Sequence, residues 1–169
     1  MLVVKDAMVL IHLSKMTLLR DSCELFDRAM VPARVYEEAV ERGKRKDYED
    51  AFLIEEVVKD DLIRIKDVKN PGLIERANKF NIQAGEAEAV ALYWQEGGDL
   101  LATDDDNVRK KSVVLELDLI GTPTIILKLF KSGKVKEKKF HESLDTLRKI
   151  GWFSNAVLDR VLERGEKHA

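Results

Sequence analysis

The stretch that most constrains this chain runs from Gln83 to Asp106. It reads as a helix rich in small residues with Glu86 in its first turn, a Gly97-Gly98 stop, and a short apolar strand, Leu100-Leu101-Ala102. Behind that strand stand three consecutive carboxylates, Asp104, Asp105 and Asp106. Ionised carboxylates placed side by side repel, and crowding them is costly unless a cation or hydrogen bonds compensate. Oxygen-rich acidic clusters are the usual environment of Mg²⁺ or Mn²⁺. A fold for this chain therefore has to put a helix, a buried strand and an acidic strand end in succession.

The remaining segments repeat that rhythm. Leu2-Val3-Val4 reads as a buried strand ending at Asp6, followed by a helix from Met8 to about Leu19. Ala29-Met30-Val31 is a second apolar run, and Pro32 pre-sets the start of a helix through Val35, Tyr36, Ala39 and Val40. An amphipathic helix carries Ala51, Phe52, Ile54, Val57 and Val58, Leu62 to Ile65 is a strand, and Asn70-Pro71-Gly72 is a turn before a short helix. Beyond the Asp run, Asn107 to Val114 reads as helix and Leu117 to Ile120 as a strand. Gly121-Thr122-Pro123 supplies a break, an N-cap and a proline at the first helical position. Helices over about 123–132, 136–150 and 154–164 complete the chain. Short apolar strands alternating with helices predict an α/β fold with a mainly parallel sheet.

At 169 residues the chain is read as one domain, 1–169, with a helical C-terminal portion at about 123–164. Charged residues make up 36%, yet the net charge is only −2, which gives no global attraction to a polyanion. Cys23 is alone among apolar neighbours and forms no internal disulfide, which points to a reducing cytoplasm. The opening Met-Leu-Val-Val-Lys-Asp is too short in apolar length for a signal peptide, and no run approaches a membrane span.

In open parallel sheets ligands bind at the carboxyl ends of the strands. Asp6 follows the first strand, and Asp104 and Asp105 follow the strand near residue 101. Glu37 or Glu38 lies in the helix after the second strand, and Glu86 or Glu88 opens the helix before the Asp run. Four segments can thus present acids to one edge, a ring suited to one or two divalent cations. Each acid also has an ordinary structural reading. Asp6 can be a loop or cap residue, Glu37 and Glu38 can belong to a solvated face, and Glu88 can be surface. Glu86 can complement the positive end of its helix, and Asp105 or Asp106 can cap the helix after it. Their joint placement at strand ends favours the metal site.

Other chemistries fit less well. Cys23 has no nearby histidine, and His12, His141 and His168 make no zinc pattern. No phosphate-cradling glycine loop and no Gly-x-Ser-x-Gly occurs. A phosphatase of the haloacid-dehalogenase type would need a second Asp where Met8 stands, and a phosphoaspartate receiver would pair adjacent acids early in the chain. The lysines at 128, 131, 134, 136, 138 and 139 form a basic segment suited to phosphate contacts.

These residues resemble the PIN-domain family of metal-dependent ribonucleases, and most of all its VapC-like branch found in toxin–antitoxin pairs. Val3-Val4-Lys5-Asp6-Ala7 matches the opening strand and first acid of that family, and Val31-Pro32-Ala33-Arg34-Val35-Tyr36-Glu37-Glu38 its second motif, with Glu38 as the acid. Gly85-Glu86-Ala87-Glu88-Ala89-Val90-Ala91-Leu92 is similar to the third, with Glu86 in the acid position, and Leu101-Ala102-Thr103-Asp104-Asp105 resembles the fourth. The segment from Gly121-Thr122 through Ile150-Gly151-Trp152-Phe153 looks like one subfamily, so nearly the whole chain is covered. The resemblance implies a three-layer α/β/α fold and endonucleolytic cleavage of RNA. It implies Mg²⁺ or Mn²⁺ held by Asp6, Glu38, Glu86, Asp104 and Asp105, and, as partners, an antitoxin protein and a second copy of the chain. One departure stands out: the family often has Ser or Thr two residues after the first acid, and this chain has Met8. Loss of that hydroxyl leaves room for a second reading, a catalytically weakened RNA-binding or protein-interaction module.

Overall fold

Each expected strand is short and apolar, and the computed structural model, which describes residues 1–169, assembles them into one sheet. The strands are β1 (Leu2–Lys5), β2 (Arg28–Pro32), β3 (Arg64–Lys66), β4 (Leu100–Ala102) and β5 (Leu119–Ile120). They lie in the order β3-β2-β1-β4-β5, and every neighbouring pair is parallel. Parallel strands need crossover helices, which cover both faces, so central strands become apolar on both sides. Leu2, Val3 and Val4 of β1 are accordingly buried, as are Ala29, Met30 and Val31 of β2. At one edge β3 is exposed and flanks Ile65 with Arg64 and Lys66, charges that discourage pairing with a further strand.

Ten helices follow from the amphipathic runs. They are α1 (Ala7–Lys15), α2 (Leu19–Cys23), α3, α4 (Glu49–Lys59), α5 (Pro71–Asn78), α6 (Ala84–Glu96), α7 (Asp106–Lys110), α8 (Thr122–Lys131), α9 (Glu137–Ile150) and α10 (Asn155–Glu166). Helix α3 is continuous through Ala33–Tyr36, a π-helical turn at Glu37–Glu41, and Arg42–Arg45. Helix α6 packs across β1, β2 and β4, while α1 packs with α4 and α8, giving the three-layer α/β/α arrangement. One apolar cluster of 43 buried residues joins the layers.

The strands expected over Leu62 to Ile65 and Leu117 to Ile120 are Arg64–Lys66 and Leu119–Ile120, and three helix ends differ for a reason. The helix expected over Met8 to Leu19 stops at Lys15, because Thr17 turns into the left-handed region (φ 57) and the chain restarts at Leu19. The helix expected over Asn107 to Val114 ends at Lys110, and Val113 beyond it is 91% exposed. The third concerns the start of α8, where Gly121, not Thr122, is the cap residue and the Thr122 hydroxyl is used elsewhere. The Gly97-Gly98 stop does end α6, with Gly97 at φ 62, a conformation that costs glycine no Cβ clash.

The strand order places the site. From β1 the chain builds outward through β2 and β3, then returns to build β4 and β5 on the other side of β1. The crevice between the carboxyl ends of β1 and β4 is therefore the topological switch point, where open α/β sheets bind ligands. Asp6 follows β1 there, its N–H bonded to Ala102 O at 3.0 Å, and Asp104 follows β4.

Candidate active site

Asp6 caps α1: its Oδ1 accepts the Val9 N–H at 3.1 Å, and its Oδ2 accepts the Thr103 hydroxyl. It is only 4% exposed. Burial pushes its carboxyl up to about 7; the hydrogen bonds from Thr103 and Val9 pull the other way, and the charges of Asp104 and Glu86 add to the rise. Thr103 was not singled out in the sequence, yet it supplies the hydroxyl that Met8 lacks, from the end of β4 instead of the first turn of α1. It also accepts the Asp105 N–H at 3.1 Å, so one hydroxyl ties the two acidic strand ends together.

The three consecutive aspartates serve different ends. The Asp104 side chain is fully buried, and both its oxygens are engaged. Oδ1 accepts the Thr122 N–H at 2.7 Å; Oδ2 accepts the Thr122 hydroxyl at 2.5 Å and meets His12 Nδ1 at 2.8 Å. Its backbone carbonyl accepts the Trp152 indole N–H at 3.0 Å. Asp105 caps α7, with Oδ1 accepting the Val108 N–H at 2.7 Å. Asp106 faces solvent and pairs with Arg109 and Lys110, which hold its carboxyl below the usual range. The N-cap left open between Asp105 and Asp106 is thus Asp105.

The glutamate alternatives also separate. Glu37 is exposed and lies 3.8 Å from Arg42, whereas Glu38 is partly buried and its Oε1 lies 3.4 Å from Arg34. Glu38 sits in the π-helical turn of α3, and such turns re-aim a side chain relative to a regular helix. Its carboxylate lies against the first turn of α6, where a Cβ on Gly85 would stand 2.5 Å from Glu38 Oε2. Gly85 permits this approach because it has no side chain. Glu86 is half-buried, and its carboxyl is raised first by burial and then by the charges of Asp105 and Glu38. It shares a small cleft with Asp105, Gln83 and Asn107. Glu88 faces a separate cavity with Arg34, Glu37 and Asp67.

Asp6, Glu38, Glu86, Asp104 and Asp105 therefore meet along one edge, and each is felt electrostatically within the group. Asp104 and Glu86 act on Asp6, and Asp105 and Glu38 act on Glu86. No three of them are drawn close enough to hold one ion, and Asp104 is spent on Thr122 and His12. As a donor set they fit a hard divalent cation: all are carboxylate oxygens, and a cation would relieve the burial and repulsion that raise Asp6 and Glu86. The basic segment lies elsewhere. Lys134 pairs with Glu24 ahead of β2, and Lys139 donates to Thr17 beyond the end of α1 at 3.1 Å, both at the amino edge of the sheet. Its lysines do not line the acidic edge.

Sheet order and acids at the switch point define an α/β domain with an acidic crevice at its strand ends. A family model described as a PIN domain matches residues 2–167, and the chain belongs to the PIN-domain family. No curated protein and no solved structure matches it. PIN domains are generally nucleases of RNA or DNA that use divalent metals, which places the chain among nucleic-acid hydrolases. No helix is long and apolar enough to cross a membrane.

Proposed function

We propose that this chain is a Mg²⁺- or Mn²⁺-dependent endoribonuclease, of the kind that serves as the toxin of a toxin–antitoxin pair. The observation that carries the reading is the placement of Asp6 and Glu86. Two carboxylates from distant segments, Asp6 buried and Glu86 half-buried, lie at the switch-point edge with their carboxyls raised, and each faces further acids. Residues used only as caps would not need such company.

In this reading Asp6, Glu38, Glu86 and Asp105 hold the cation, directly or through water. When bound, it would activate water and neutralise the phosphodiester. Asp104 is the positioning acid. Its bonds to Thr122 and His12 fix the end of β4 against the start of α8, which sets the direction of Asp105. Thr103 holds Asp6 and the Asp105 backbone in register. The Thr103 hydroxyl answers the weakness that Met8 suggested, and this supports a working nuclease over a binding module.

The test is cleavage of a mixed single-stranded RNA by wild type and Asp6→Asn, purified identically, with Mn²⁺ and with EDTA. Cleavage by wild type in Mn²⁺ alone is expected. Equal cleavage by both proteins would mean a contaminating nuclease. Bound Mn²⁺ with no cleavage by either protein would transfer the reading to a non-catalytic RNA-binding module. Co-purification with a small partner and a doubled mass in solution would test the antitoxin and homodimer parts of the proposal.

A further inference from the structure

Beside the acidic cleft lies a larger cavity, about 660 Å³, between the loop that follows β4, the turn into α8 and the C-terminal helix α10. Its aromatic wall is Trp152 and Phe153, and its polar wall includes Thr124, Ser154, Asn107 and Arg109. Asp105 and Asn107 line both this cavity and the cleft that holds Glu86, so the two are separated by a wall only these residues thick.

Trp152 is the unusual feature. It is 51% exposed, although a large indole gains more by burial than by display. It is nevertheless held in place: its N–H is bonded to Asp104 O, and its ring meets His12 edge-on at 5.9 Å with 61° between the planes. Phe153 also meets the His12 imidazole edge-on, at 5.5 Å with 62° between the planes. A rigid, half-open aromatic beside hydroxyl and amide groups suits a flat ligand with an apolar face and a polar rim. A nucleobase has that form, and base-on-aromatic stacking is the common means of holding single-stranded nucleic acid. A lipid chain would leave the polar wall without partners.

We infer that this cavity is a nucleobase subsite, in which Trp152 stacks on a base of single-stranded RNA flanking the scissile phosphate held at the acidic edge. The inference rests on the ribonuclease reading above, and it assigns the substrate as single-stranded at that position, since a paired base could not enter. Trp152 is here a binding residue, and it touches no reacting atom.

The test uses the full chain with Mn²⁺ and one single-stranded RNA oligonucleotide that is cut at a single position. An abasic residue is walked through the positions around the cut, against wild type, Trp152→Ala and Trp152→Phe. One abasic position within about two nucleotides of the cut should raise KM about 10- to 100-fold, with kcat nearly unchanged. Trp152→Ala should raise KM similarly with the intact oligonucleotide, and should then show no further penalty for that abasic position. Trp152→Phe, which stacks but cannot donate to Asp104 O, should stay near wild type. No penalty at any abasic position, or an equal penalty in wild type and Trp152→Ala, would overturn the subsite. If Trp152→Ala does not fold, Thr124→Trp, which fills the cavity from its other wall, must raise KM in its place. The same comparisons read as binding anisotropy with Ca²⁺ need no cleavage. A protein that binds with the abasic penalty but cuts nothing would keep the subsite and reject the ribonuclease reading. A protein that cuts without the penalty would do the reverse.

Discussion

The two ends of β1 treat a carboxylate in opposite ways. At the amino end Asp27 is exposed, paired with the Met1 ammonium, and held below its usual range by that pairing. At the carboxyl end Asp6 is buried, faces Asp104 and Glu86, and is raised to about 7. Asp27 behaves as surface acids ordinarily do, its charge answered by the nearest cation and by water. Asp6 is held where its charge is unfavourable in the metal-free protein. The contrast teaches that the fold itself sets the charge cost at the switch-point edge, since both acids adjoin the same strand.

The largest effect should separate these two residues by activity. Asp6→Asn should lower Mn²⁺-dependent RNA cleavage about 1,000-fold or more while Asp27→Asn leaves it within about 2-fold. Comparable losses in both would break the contrast. The next concerns stability against pH with chelator present. The Asp6 carboxyl is raised above its unfolded value of 3.8, so the native state binds more protons between that value and about 7. The contribution of Asp6 to stability should thus be greatest below pH 4, fall as pH rises to about 7 by on the order of 4 kcal/mol, and level off above. Asp6→Asn should remove this slope. Asp27, lowered instead, contributes stability that is lost only as pH falls through its folded value, so Asp27→Asn should leave the pH 4–7 slope intact. Melting curves across that range decide it.

Smaller effects sharpen the picture. Thr103→Val keeps the shape but leaves Asp6 Oδ2 and the Asp105 N–H without their hydroxyl partner. It should cost about 1–3 kcal/mol of stability, read by urea unfolding, and should shift Mn²⁺ binding to higher pH. Gly85→Ala adds a methyl that displaces the Glu38 carboxylate. Cleavage should fall about 10-fold while stability changes by less than about 1 kcal/mol, because helix propensity rises as the contact is lost. Last, Lys134→Gln at the amino edge should change neither stability by more than about 0.5 kcal/mol nor KM for RNA. A raised KM there would restore the basic segment as a phosphate contact.

Much of the site was legible because it is written in short local patterns. Apolar triplets such as Leu100-Leu101-Ala102 named the strands, and an acid directly behind each, Asp6 or Asp104, named the edge. What was not legible depends on which distant group each side chain selects. Asp104 is readable as one acid of the edge, but no local pattern tells that its oxygens meet Thr122 and His12, residues 18 and 92 positions away. Thr103 stands between β4 and the acidic run, and a hydroxyl in that place is itself a signal. The choice of Glu38 over Glu37 was not settled by helical periodicity, because a π-helical turn shifts the face mid-helix. Trp152 carried no periodic signal, since it lies in the turn between α9 and α10.

The strand order also governs when the site can exist. Asp6 is made well before its hydroxyl partner Thr103, which lies 97 residues later, and Asp104 waits a further 18 for Thr122. Strands β1, β2 and β3 can pair as they emerge, yet that half of the sheet holds Asp6 with no acid from β4 beside it. The crevice closes only when β4 inserts against β1 and β5 follows. A nascent chain is thus without its complete acidic edge until β4 has been made, and the acids of the two halves of the sheet come together only once both halves are present.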